Sequence, residues 1–271
     1  MKRQKTVTIF LLCFVSLMGP APGFGAAADS GAETIQGDAR KSLVNAFCGE
    51  TLYYDVGFWF LPKAGTCQVT FERKSDVYVA RLEAKPVGFL EMFIPYKKEV
   101  MKSVMVYDPD SRRMKPLEFH ETYFLDDEAI EKKLMFDYAH RRYRYTINRD
   151  GRHLVDRTYR LPKKHFDDIL TFIYNLRLGS YGRIKKGRQL NITVLTKQRL
   201  SRMSLFFEKQ NQTRQKAGEY TALLSLDRNT TNALSERIVC WFSKDFIPLG
   251  GKIEDAIFFG DLHVVLSKRV P

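Results

Sequence analysis

The residues that could carry chemistry come first. Five histidines, His120, His140, His153, His165 and His263, are spread along the chain. None forms H-E-x-x-H or another ligand spacing, and His140 and His165 lie among Arg and Lys, where a cation would be repelled. No metal and no cofactor is expected. No G-x-S-x-G occurs, so the usual nucleophile elbow is missing. Asp126-Asp127-Glu128 reads as a solvated loop. Asp167-Asp168 reads as the start of a helix, where the dipole favours negative charge. A hydrolase would need carboxylates from distant strands to meet in one cleft. Gly179-Ser180-Tyr181-Gly182 follows a helix and lacks the strand-to-helix context in which phosphate is cradled. No catalytic residue is assigned from the sequence.

The first 28 residues read as a signal peptide. Lys2, Arg3 and Lys5 precede an apolar run of about 14 residues from Thr6 to Gly19, and Gly25-Ala26-Ala27-Ala28 offers small residues for cleavage. The run is shorter than the roughly 20 residues a spanning helix needs. Cleavage near Ala27 or Ala28 is expected, with a retained anchor as the alternative. Cys13 leaves with this segment, so Cys48, Cys67 and Cys240 remain, an odd number whose pairing is open. A hairpin of residues 49–61 and 66–72 about a turn at 62–65 would put Cys67 opposite Phe60, away from Cys48.

Charge is uneven. The whole chain carries a formal net charge of +13. From Lys132 to Arg188 there are 16 Lys or Arg against 5 Asp or Glu, so the mature remainder is close to neutral. Arg142 and Arg144 alternate with Tyr143 and Tyr145 in a pattern that also serves single-stranded nucleic acid. The signal peptide argues against nucleic acid. Anionic lipid headgroups or acidic glycans suit an exported protein better, because Arg matches phosphate and carboxylate. A solvated sheet face is the plainer reading.

The elements that position these residues are strands. After a tail at residues 29–47, loose or weakly helical, "GETLYYDVGFWFLPKAGT" puts Leu52, Tyr54, Val56, Phe58 and Phe60 on one face. Tyr53, Trp59 and Leu61 lie on the other, broken by Asp55 and Gly57. Residues 66–72 and 78–84 alternate cleanly, and further strands are predicted at 101–107, 114–121, 133–136 and 141–149, then from 189 to 268. The run 86–96, "PVGFLEMFIPY", is apolar without period two and either packs under the sheet or lines a pocket. His165 to Arg177 is the one convincing helix, with Phe166, Ile169, Leu170, Ile173 and Leu176 at helical spacing.

In this order the chain resembles the bacterial envelope family called domain of unknown function 3108. The resemblance rests on "GETLYYDVGFWFLPKAGTCQVTFE", on "DDILTFIYNLR" followed by "GRIKKGRQLNITV", and on "VCWFSKDFIPLGGKIE" with "FFGDLHVVLSKR". It spans about residues 49 to 269 and implies a periplasmic or exported, mostly β protein. It brings no catalytic residues.

The expected architecture is mainly β: one domain over 48–271, a large curved antiparallel sheet or incomplete barrel with one principal helix on its concave side. The expected function is non-enzymatic binding of a hydrophobic or amphipathic anionic envelope component, a lipid or lipid-linked glycan. Tyr53, Trp59, Phe89 and Phe93 would meet its apolar part, and Arg142 and Arg144 its charge. The alternatives are an interaction module for envelope proteins or glycans using the basic surface, and an enzyme acting on polysaccharide. Peripheral membrane contact is compatible with the first two.

Overall fold

The structure, a computed structural model, describes residues 37–92, 96–196, 199–208, 220–226, 238–257 and 260–271. The expected signal segment and Phe93 lie outside them. Helix α1 (Gly37–Ala46) leads into strands β1 (Thr51–Phe58), β2 (Leu61–Lys74) and β3 (Val77–Pro86), then a 3-10 turn at Gly88–Met92. Strands β4 (Lys98–Asp108), β5 (Arg113–Phe124), β6 (Ala129–Asp137), β7 (Arg142–Arg149) and β8 (Arg152–Arg160) follow. Helix α2 (Ile169–Arg177) separates them from β9 (Gln189–Thr196), β10 (Arg199–Phe207), β11 (Tyr220–Leu226), β12 (Ile238–Phe242), β13 (Pro248–Ile257) and β14 (Gly260–Val270).

The fourteen strands make one antiparallel sheet in the order β8 to β1, then β14 to β9. Nearly every neighbour in the sheet is a neighbour in sequence. The exception, β1 with β14, pairs Thr51 with Val270 and joins the two ends of the fold. The expected curved sheet or incomplete barrel is corrected here. The strand order is linear, β8 and β9 remain as edges with no ladder between them, and the sheet is neither closed nor strongly curled. Alternation along a strand reports which face is buried. Closure depends on how the last strands meet, to which alternation is blind.

The buried face is the one the alternation indicated. Leu52, Tyr54, Val56 and Phe58 of β1 are buried, with Val69 and Phe71 of β2, Leu82 of β3, and Met101 and Met105 of β4. All nine residues of α2 are buried. A helix this short does not stand alone in water, and side-chain bonds hold it. Asp168 is its N-cap, accepting from the amides of Leu170 and Thr171 at 2.9 Å each. The helix therefore starts four residues later than the apolar spacing predicts, because residues 165–168 remain extended and Asp167 bridges Val194 of β9. Asn175 acts as a strand partner, accepting from the Met114 amide at 2.7 Å and donating to its carbonyl at 2.9 Å. Arg177 donates to Glu50 at 3.0 Å inside the core.

Of two local expectations, the helical alternative for the tail is borne out and the position of the first turn is corrected. The tail is helical at its end and docked: Val44 and Phe47 are buried, and Tyr78 donates to Asn45 at 2.9 Å. The β1–β2 turn is Trp59-Phe60 and not residues 62–65, since Phe58 pairs with Leu61 and Tyr54 with Cys67. Pro62 to Gly65, rich in turn formers, lie within β2 instead.

Candidate functional site

Of the six residues expected to bind a ligand, the four whose side chains are described do not converge. Tyr53 points to the exposed face, with Lys268 5.9 Å from its ring centroid, and Trp59 stands at the hairpin tip. Arg142 and Arg144 lie on β7, six strand steps from β1, or roughly 29 Å at about 4.8 Å per step. Both are engaged: Arg142 donates to Asp137 at 3.0 Å and Arg144 to Asp156 at 2.8 Å. The side chain of Phe89, like the whole of Phe93, is outside the described residues. The second face of β1 is thus neither covered core nor the wall of a cavity. Gly57 has its own reason: a Cβ there would lie 1.9 Å from Nε2 of His263, whose ring covers the position.

Beneath α2 lies a cavity of about 50 Å³ lined by apolar side chains including Tyr54, Phe172, Ile173, Leu205 and Val264. Buried apolar side chains of β1 to β4 and of α2 pack together in one core cluster. The three described cysteines are free thiols, and burial raises the pKa of each, that of Cys240 to about 12. Among the described residues no three His, Cys, Asp or Glu are grouped as metal ligands would be.

Buried carboxylates are present, and their surroundings are structural. Burial raises Asp168 to about 6, against hydrogen bonds from Ser103 and Thr171, both at 2.6 Å, and from the Thr171 amide. Burial also raises Asp167, although Arg113 donates to it at 2.6 Å, Asn175 at 2.9 Å, and Tyr181 as well. Glu99, buried on β4, is pushed up to about 8, first by burial and then by Glu121, against Lys132 and hydrogen bonds from Tyr96 and Tyr123. Lys132 takes the Glu121 carboxylate at 2.7 Å. Each group sits among side chains that anchor α2 or the β4–β6 face.

A cleft of about 290 Å³ opens at one end of the sheet. Antiparallel order puts the β4–β5 turn, the β6–β7 turn and the exit from β8 at that same end. Arg113 and Lys115 come from the first, Arg141 from the second, and Lys163, Lys164 and His165 from the third. Five Lys or Arg thus face one carboxylate in the lining, Asp108. Burial would raise that group, but Ser111 and the amides of Asp110 and Ser111 bind it and keep it below the usual carboxylate range. The floor is apolar: Met114, Leu161 and Phe166 are buried, and Tyr138 stacks 6.3 Å from Phe166. Lys115 stands 4.1 Å over the Tyr138 ring.

The lining cations differ in how they are held. Arg113 is committed to Asp167 behind the wall. Arg141, Lys163 and Lys164 are exposed and have no carboxylate partner among the described residues. Arg141 lies at φ 52, and its carbonyl accepts from the Leu161 amide at 2.8 Å, which ties the second turn to the third. Sequence reading missed this cleft. A signal was present: Arg112-Arg113, Arg141-Arg142 and Lys163-Lys164 are dibasic pairs at three strand ends that share one side of the molecule.

No curated protein matches the chain. Among solved structures, a crystal structure of a β-barrel-like protein of the DUF1849 domain of unknown function from Brucella abortus is similar at 10% identity. The match covers 81% of this chain and 96% of that one, with a TM-score of 0.47. Residues 51–266 match the family described as protein of unknown function DUF3108. Apart from Gly49-Glu50 and Ser267 to Arg269, the strand, helix and closing motifs named from the sequence fall in that span, and the chain belongs to this family of bacterial exported or periplasmic proteins.

Proposed function

We propose that the protein is a non-enzymatic binding protein that holds an amphipathic anion of the envelope, a lipid or lipid-linked glycan, by its charged headgroup in the basic cleft. The protein is periplasmic or exported, where such ligands occur. The observation that carries the reading is the set of Arg141, Lys163 and Lys164, three exposed cations without carboxylate partners among the described residues, over an apolar floor. Like charges crowded at the mouth of a low-dielectric recess repel one another, and a phosphate or carboxylate relieves that repulsion. Arg142 and Arg144, by contrast, are already neutralised by Asp137 and Asp156. At about 290 Å³ the cleft is at the lower bound of small-molecule sites. It accommodates a headgroup and the first carbons of a chain, leaving the rest of the ligand outside.

The test is calorimetric titration with dihexanoyl phosphatidic acid, beside inorganic phosphate and dihexanoyl phosphatidylcholine. The phosphatidic acid should bind saturably, more tightly than phosphate, and more weakly as salt rises. Phosphatidylcholine should bind least. The R141E/K163E/K164E variant should lose at least about ten-fold in affinity, since each lost charge pairing is worth on the order of 1 kcal/mol near a surface. Unsaturable binding, or a variant equal to wild type, removes the cleft from the proposal.

A further inference from the structure

We infer that the end of the sheet opposite the cleft is a membrane-contacting tip built on Trp59 and Phe60. Strand β4 runs from this end to the cleft in 11 residues, or roughly 36 Å at about 3.3 Å per residue. Trp59 is 66% exposed and Phe60 71%, with their ring centroids 4.7 Å apart. Beside them Val87 is 39% exposed and Met92 80%. The Val87 amide donates to the Ala64 carbonyl at 2.8 Å, so the 3-10 turn is fastened to the same hairpin. The Trp59 amide donates to Asp261 at 2.7 Å, so the tip is also fixed to the start of β14.

Trp59 holds φ 53, a region that Gly or Asn enters without strain and a bulky residue rarely adopts. Turn chemistry therefore does not call for Trp here. A large amphipathic ring on a fixed projection is suited to the water–bilayer boundary, where Trp is enriched. A protein partner fits less well, because a stable interface needs about 800 Å² per side, more than these four exposed apolar side chains offer. Cations at this end are engaged: Lys63 lies 3.3 Å from Asp55, Lys85 3.0 Å from Glu83 and Lys97 2.7 Å from Asp126, and Lys98 stands 4.4 Å over the Phe124 ring. Attachment through the tip is thus apolar and needs no anionic lipid. The inference stands apart from the cleft. If both hold, the cleft faces away from the bilayer that the tip touches.

The experiment is flotation of the purified exported protein with phosphatidylcholine vesicles at about 0.5 M salt, where charge attraction reaches only a few Å. Trp59 fluorescence is read in parallel in a Trp241→Phe background. Wild type should float and its Trp59 emission should move to the blue. The W59S/F60S variant should partition at least about ten-fold less, and K163E/K164E should float as wild type does. Failure of wild type to float, equal flotation of W59S/F60S, or a W59S/F60S effect confined to the oligomeric state would each overturn the inference. Vesicle binding that needs anionic lipid and is lost in K163E/K164E would assign the contact to the cleft instead.

Discussion

Glu99→Gln should gain stability relative to wild type as pH rises. Glu99 ionises at about 8 in the folded protein and at 4.5 unfolded, because burial and Glu121 outweigh Lys132 and the tyrosine hydrogen bonds. Between those values the unfolded chain has released a proton that the folded protein keeps, so raising pH favours unfolding. The slope is about 1.4 kcal/mol per pH unit while only one state is protonated. From pH 5 to pH 8 the penalty carried by wild type should grow by roughly 3 kcal/mol, most of it before pH 7.5. Gln keeps a carbonyl oxygen for Tyr96, which donates to Glu99 at 3.3 Å. Its amide group takes the place of Oε1, which has no partner among the described residues. An unsatisfied amide costs about 1–3 kcal/mol, but equally at both pH values. Urea unfolding of both proteins at pH 5, 6, 7 and 8 measures the difference, and groups common to both cancel. A variant-minus-wild-type difference that stays flat across this range would refute the account of Glu99 as a carboxyl kept neutral by burial.

Further outcomes follow from the same geometry. Trp59→Gly should leave thermal stability unchanged or raise it by up to about 1 kcal/mol, by releasing a bulky residue from positive φ, while reducing vesicle flotation. Gly57→Ala should cost about 1–3 kcal/mol in chemical denaturation, because the His263 ring must leave its place, and His263→Ala in the same chain should recover most of it. Arg113→Ala should cost roughly 3–5 kcal/mol by leaving the Asp167 carboxyl buried without its cation, and adding Asp167→Asn should restore part of the loss.

Faces and local elements were legible in the sequence. Alternation identified Leu52, Tyr54, Val56 and Phe58 as one buried row but carried it on to Phe60, which the hairpin turn exposes, and helical spacing after Pro162 located α2 to within its first turn. Strand β8 was missed because it has no alternation to read. Seven of its nine residues are exposed, so neither face demanded apolar side chains. The carboxylates of Asp167 and Asp168 were read as favouring the helix dipole, and one of them does cap α2. Nothing local indicated that both would be buried, since that depends on Ser103, Arg113 and Tyr181, up to 65 residues away.

The sequence by itself determined that this is an exported β protein with one core helix and an excess of positive charge between residues 132 and 188. Those properties are local: a leader, a period and a composition can be read without knowing what pairs with what. Tertiary structure alone decided that the sheet stays open, that Trp59 turns outward at a two-residue hairpin, and which cations of the 132–188 region meet a carboxylate among the described residues. Arg142 and Lys163 look equivalent along the chain. They differ because cross-strand register brings Arg142 to Asp137, its partner across β6 and β7. Lys163 leaves the sheet at a strand end, where no ladder delivers a carboxylate and the cleft begins.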